Sequence, residues 1–185
     1  MVTERRARDL ALLDALDAHE GIQYEGEVWR IAREERDPLQ GFAAGGRWDP
    51  GSFEVLYTSL LREGALEEVY FHLSRQPVFP SRIRSVLHRV ALRTRRTLRL
   101  ADLAAVENLG VSVAAYSGLA YARTQEIGDA AAFLGFDGII APSVRWPCQN
   151  LVLFTGRFSP GELTVVDSEA VDWADWKLRR LALRP

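Results

Sequence analysis

A chain of 185 residues, 48% hydrophobic and 26% charged, has the balance of one ordinary globular domain and excludes a disordered or fibrous protein. A formal net charge of -2 and a pI near 6.0 argue against direct nucleic-acid binding, which needs a basic surface to neutralise phosphates. Cys148 is the single cysteine, so no internal disulfide can form and a cysteine zinc site is nearly excluded. No run approaches the roughly 18 apolar residues of a membrane span, and the charged N-terminus lacks the apolar core of a signal peptide, so a cytoplasmic setting is expected.

From Glu4 to about Ala18, Leu10, Leu12, Leu13 and Leu16 recur at helical spacing among charges, with Thr3 placed as N-cap and Gly21 as the stop. Glu27 to Ala32 reads as a short strand. Asp37 and Pro38 open a loop whose Gly41, Gly45 and Gly46 lead to Arg47, and the loop feeds a strand from Phe53 to Tyr57. Ser59 can cap a helix in which Leu61, Ala65, Leu66, Val69, Tyr70 and Leu73 form one stripe, with Glu68 near its edge. Ile83 to Leu92 alternates as a strand through Val86, His88, Val90 and Leu92, although Leu87 and Leu98 blur the period. A helix from about Gln125 to Leu134 stops at Gly135, and Gly138 to Ala141 follows as a buried strand broken by Pro142. Strands at Leu151 to Phe154 and Leu163 to Val166 precede a final helix around Trp173 to Leu183. Helices and strands mix without a βαβ rhythm, which predicts α+β. Residues 1–25 read as a helical extension and 26–185 as the domain with a helical tail.

Three patches carry polar chemistry. In Gly45-Gly46-Arg47-Trp48-Asp49-Pro50 the glycines let backbone approach a ligand, and arginine offers a planar fork for phosphate oxygens; an exposed turn anchored by tryptophan explains the same residues. Val55-Leu56-Tyr57 precedes the helix bearing Glu67 and Glu68, a pair that a solvated helix face also accounts for. Ser143, Arg145 and Asn150 share a polar loop between two apolar strands, where sites often lie. Ser143 lacks a Gly-x-Ser-x-Gly elbow and a neighbouring histidine, which argues against a hydrolase triad. His19, His72 and His88 have no metal-ligand spacing, so no metal is expected and structural or surface roles are assigned to them. Cys148, beside Trp146 and Pro147, reads as packing rather than as a nucleophile.

Taken together and in this order, the patches resemble the RES domain, a family named for an arginine, a glutamate and a serine. The resemblance rests on Val28-Trp29-Arg30, Gly46-Arg47-Trp48-Asp49-Pro50, Leu56-Tyr57, Ala65-Leu66-Glu67-Glu68-Val69, Gly135-Phe136-Asp137-Gly138, Pro142-Ser143-x-Arg145 and the run from Asn150 to Phe154. It spans roughly residues 26 to 167. It implies an ADP-ribosyltransferase-like fold of small mixed or antiparallel sheets flanked by helices. It also implies NAD as substrate rather than cofactor, and a neighbouring helix-turn-helix antitoxin of the Xre type that blocks the pocket. Residue by residue, it carries the family's arginines onto Arg30 and Arg47, its tyrosine onto Tyr57, its glutamate onto Glu68 in preference to Glu67, and its serine onto Ser143. Two departures stand out: Asp49 replaces the usual asparagine and adds a carboxylate beside Arg47, and Trp146 to Gln149 replaces a glycine-rich stretch.

On this resemblance Arg30 and Arg47 clamp the NAD pyrophosphate, Tyr57 packs on the nicotinamide side, Ser143 fixes the ribose, Asn150 also binds NAD, and Glu68 faces the developing cation, with Glu68, Tyr57 and Ser143 as the catalytic set. A placed carboxylate lowers the barrier to breaking the nicotinamide–ribose bond because that step builds oxocarbenium character. Water, phosphate or a protein side chain can each be the acceptor, giving hydrolysis, phosphorolysis or ADP-ribosylation of a host protein. A non-catalytic nucleotide-binding module is the other reading. Trp173, Trp176, Leu178 and Leu181 suit either a homo-oligomer or antitoxin surface or simple packing of a terminal helix.

Overall fold

The computed structural model describes residues 7–80 and 83–183. Its elements run α1 (Leu10–Asp17), β1 (Glu25–Arg33), β2 (Val55–Ser59), α2 (Arg62–Ser74), β3 (Ser85–Arg93), β4 (Thr97–Arg99), α3 (Leu103–Asn108), α4 (Val113–Tyr116), α5 (Ala122–Phe133), β5 (Gly138–Pro142), β6 (Gln149–Phe154), β7 (Leu163–Ala170) and α6 (Trp173–Leu183). A single 3-10 turn, Thr155–Arg157, follows β6. The α+β expectation holds. The strands form one continuous sheet in the order β4-β5-β6-β2-β1-β3-β7, antiparallel except for β4 against β5.

Side-chain alternation sorts the core. Val55, Tyr57, Ile139, Ala141, Val152 and Phe154 point to one face, where α1, α3, α4 and α5 cover them. On the same face, farther along the sheet, Trp29, Ile31 and Leu87 meet α2 and the tryptophans of α6. Val28, Leu56, Val90, Ile140, Leu151 and Leu153 occupy the opposite face under Tyr24, Leu39, Leu60 and Phe158. Both faces of β3 are therefore covered, which is why Leu87 blurs the period of Val90 and Leu92.

Several element ends differ from the sequence expectation. The first helix begins at Leu10 because the Asp9 carboxylate caps Ala11 and Leu12; Thr3 lies outside the described residues. Leu12 and Leu16 of α1 are buried in the main core, a burial worth about 1.5–3 kcal/mol each, so the described part of the N-terminal segment is integral to the fold. Ser59 does not cap α2; it ends β2, and the N-cap position falls to Leu61, which has no side-chain cap bond. Gly135 adopts φ +84 after α5, as a helix stop requires.

The join between β1 and β2 positions the site. Only Trp29 and Ser59 pair across it, whereas β2 pairs with β6 over five positions. The Arg30 guanidinium bridges where strand pairing stops, giving Nη1 to the Tyr57 carbonyl and Nη2 to the Gln40 carbonyl, both at 3.2 Å.

Candidate functional site

A cavity of about 320 Å³ opens above this join, within the size range of small-molecule sites. Its wall includes Trp29 and Arg30 of β1, Tyr57 of β2, Glu68 and His72 of α2, Arg47 of the glycine loop, and Arg145 and Asn150 around the β5–β6 connection.

Glu68 is fixed through one oxygen. Ser143 Oγ donates to its Oε1 at 2.7 Å and Asn150 Nδ2 donates to the same atom at 3.0 Å, so Oε2 remains for the cavity. The helix that carries it lies hard against the sheet. A Cβ on Gly64 would fall 2.3 Å from Ser59 Oγ and 2.5 Å from Cys148 Sγ, so any side chain there would have to displace those two groups. Glu67 points the other way: it is 1% exposed and takes a two-point ion pair from Arg180 of α6. Adjacent glutamates thus divide into one that braces the fold and one that faces the cavity.

The loop at residues 45–51 is built around Asp49. Its fully buried carboxylate accepts Gly45 N (2.9 Å), Gly46 N (2.8 Å) and Gly51 N (3.0 Å), and the Tyr57 hydroxyl donates to it at 3.2 Å. Gln125 of α5 donates to the Gly45 and Gly46 carbonyls from outside. This corrects the expectation that Asp49 adds a negative charge to the ligand surface, because its oxygens are turned inward on amides that need an acceptor. The Tyr57 hydroxyl also accepts Trp48 N at 2.9 Å. Burial, reinforced by the Asp49 charge, pushes its pKa well above the ordinary value, so it stays a protonated donor to Asp49. Tyr57 therefore presents its ring to the cavity and its hydroxyl to the loop.

Among the described residues, three arginines and one glutamate line the cavity. Arg47 gives Nη1 to the Tyr116 carbonyl at 2.6 Å and Nη2 to the Gly118 carbonyl at 3.1 Å, and lies against the rings of Tyr116 and Tyr121. Arg145 gives Nη2 to the Ser117 carbonyl between them, at 3.0 Å. Arg30 is 8% exposed, and burial lowers its pKa to about 10. The hydrogen bonds of all three go to backbone carbonyls, which orient a cation without cancelling its charge. Among the described residues, the buried Nε atoms of Arg30 and Arg145 and the Oδ1 of Asn150 find no hydrogen-bond partner. Such a surface suits an anionic ligand with further polar groups.

Of the residues expected from sequence, Arg30, Arg47, Tyr57, Glu68 and Asn150 line one cavity. Ser143 adjoins it differently: its hydroxyl donates to Glu68 while accepting Arg145 N and Trp146 N at 3.2 and 3.4 Å, so its bonding capacity is spent on holding the carboxylate rather than on a ligand. Sequence reasoning gave His72 and Tyr121 no role in the site, and placed Arg145 in the polar loop beside Ser143 and Asn150 without assigning it a contact. For His72 the signal was present, since it follows Glu68 by one helical turn.

Comparison with known proteins follows the same lines. The RES domain family pattern matches residues 27–174. The protein named Probable NAD(+) phosphorylase Rv3189, from Mycobacterium tuberculosis, is 34% identical over 152 residues, covering 78% of this chain and 72% of its own. NAD(+) phosphorylase MbcT from Mycobacterium bovis is 25% identical over 169 residues, covering 88% and 91%. The crystal structure of the M. tuberculosis MbcT-MbcA toxin-antitoxin complex superposes with a TM-score of 0.83 at 25% identity, covering 95% of this chain and all of that one. A match across most of the sequence, with the cavity assembled from its motifs, places this chain in the RES domain family.

Proposed function

We propose that this chain cleaves NAD at the bond between nicotinamide and ribose, passes the ADP-ribosyl group to inorganic phosphate, and acts as a toxin restrained by an antitoxin. The observation that carries the reading is Glu68: a carboxylate held by Ser143 and Asn150 through one oxygen, with the other turned to a cavity rich in guanidinium groups. As the glycosidic bond stretches, positive charge grows on the ribose carbon and its ring oxygen. A carboxylate already in place stabilises that charge without reorganising at the moment of reaction. Nicotinamide leaves with the bonding electron pair. Arg47 and Arg30 hold the pyrophosphate, the Tyr57 ring packs beside the nicotinamide, and Ser143 acts through Glu68.

The names of the relatives favour phosphate over water or a protein side chain as acceptor, and the toxin-antitoxin title of the structural neighbour supports a protein partner. An antitoxin of the Xre type, seated over the cavity, is the partner this reading expects. The test is to incubate the purified chain with NAD, with and without phosphate, and identify the products by mass spectrometry. Nicotinamide together with a phosphorylated ADP-ribose is the expected result. NAD left intact in the presence of phosphate would refute the reading, and ADP-ribose adducts on protein would redirect it to transfer.

A further inference from the structure

Phosphorolysis requires a second anion beside the ribose carbon, and the cavity holds groups that the dinucleotide does not employ in the reading above. Arg145 and His72 flank one ring. The Arg145 guanidinium lies 3.5 Å from the centroid of Phe71, and the His72 ring meets Phe71 edge-on at 5.4 Å. Both line the cavity with Glu68. Arg145 spends Nη2 on the Ser117 carbonyl, and among the described residues its buried Nε finds no hydrogen-bond partner. His72 stands at the exposed mouth, one turn beyond Glu68 on the same face of α2, and among the described residues no hydrogen bond engages its ring.

We infer that Arg145 and His72 form the acceptor subsite, binding inorganic phosphate separately from the Arg30 and Arg47 clamp on the dinucleotide. This rests on the NAD-cleaving reading. When the bond from the ribose carbon to nicotinamide breaks, its electron pair leaves with nicotinamide, and a phosphate oxygen supplies the pair for the new carbon–oxygen bond. The proton on phosphate passes to the neutral His72 and then to solvent. Arg145 offsets the repulsion between the incoming anion and Glu68. Partial burial lowers the pKa of His72 below its ordinary 6.5; Glu68 opposes this, and Arg145, Arg75 and Arg47 reinforce it. The ring is thus a proton acceptor at neutral pH.

The test is steady-state nicotinamide release by the full chain, varied separately in phosphate and in NAD, for wild type, Arg145→Gln, Arg145→Lys and His72→Gln. Thermal midpoints check folding. Arg145→Gln should raise KM for phosphate by about tenfold or more, the scale of a lost charge-assisted contact, with KM for NAD within about twofold. Arg145→Lys should restore part of the loss and carries the test if the glutamine variant does not fold. His72→Gln should lower kcat at neutral pH and abolish the fall in kcat expected of wild type as acidification, to below the ordinary 6.5, protonates the ring. A rise in KM for NAD with unchanged KM for phosphate would assign Arg145 to the dinucleotide and overturn the subsite. Phosphate-dependent turnover unaffected by any of the three variants would overturn the subsite alone, whereas a wild-type chain that leaves NAD intact would overturn the parent reading with it.

Discussion

The Ser143 hydroxyl donates to Oε1 of Glu68 at 2.7 Å, joining the end of β5 to a helix 75 positions earlier in the chain. Because Arg145 N and Trp146 N both donate to the same hydroxyl oxygen, its proton has one destination. Ser143→Ala should therefore loosen the carboxylate without removing it. A hydrogen bond to a charged group contributes about 1.5–3 kcal/mol, so kcat for NAD cleavage should fall about tenfold or more while KM for NAD changes little. Steady-state kinetics decide the matter; a loss confined to KM would return Ser143 to the substrate.

Glu68→Gln keeps the shape and removes the charge. The barrier should rise by about 2.7–4 kcal/mol, the cost of deleting one preorganised electrostatic group, with NAD still bound. Calorimetric NAD titration alongside turnover reads both quantities, and turnover near the wild-type rate would end the assignment.

The neighbouring glutamate should behave in the opposite way. Arg180→Met removes the two-point ion pair from Glu67, whose side chain is 2% exposed, and should destabilise the fold by up to about 3 kcal/mol, the low end for a broken buried pair because Arg180 itself reaches solvent. NAD turnover per folded molecule should be unchanged. Urea unfolding of this variant beside Glu68→Gln separates the bracing carboxylate from the reacting one.

Asp49→Ala leaves the amides of Gly45, Gly46 and Gly51 and the Tyr57 hydroxyl without their acceptor. A stranded donor costs about 1–3 kcal/mol, so a lower melting temperature and weaker NAD binding should appear together as the loop that aims Arg47 loses its centre. Asp49→Asn keeps only one acceptor oxygen and should fall between alanine and wild type. Differential scanning calorimetry with and without NAD measures both.

Arg47→Ala should weaken NAD binding by more than tenfold, since charge-assisted contacts to phosphate are the stronger kind, and should free the Tyr116 and Gly118 carbonyls. Hydrogen exchange in residues 116–121 should rise in the same variant. Unchanged binding would reduce Arg47 to a loop tether.

Most long elements were legible because their periods are long enough to read: α2 and α5 at helical spacing, β5 and β6 as apolar runs. Residues 97–121 were not, since β4, α3 and α4 span three, six and four residues, too few for a period to emerge. Only their local caps, Asp102 and Ser112, were available as signals. In the site, spacing alone could not separate Glu67 from Glu68, because the partner that decides it, Arg180, lies 113 positions away. Asp49 was misread for a related reason: its charge is visible in the sequence, but the direction of its carboxylate is set by three glycine amides. The contact from Asp49 to Gly51 N, two residues on, is an Asx-type turn and was the local hint.

The sparse stitching between β1 and β2 gives the sheet a crease. One plate carries β1, β3 and β7, the other β2, β6, β5 and β4, and Arg30 spans from the first to the second. A dinucleotide gripped by Arg30 and Arg47 would lock that crease, so amides of Trp29 to Ile31 should exchange more slowly with deuterium when NAD is bound, while those along the fully paired β2–β6 ladder stay as they were. Ligand affinity and the rigidity of the folding line are then one quantity, measured from two sides.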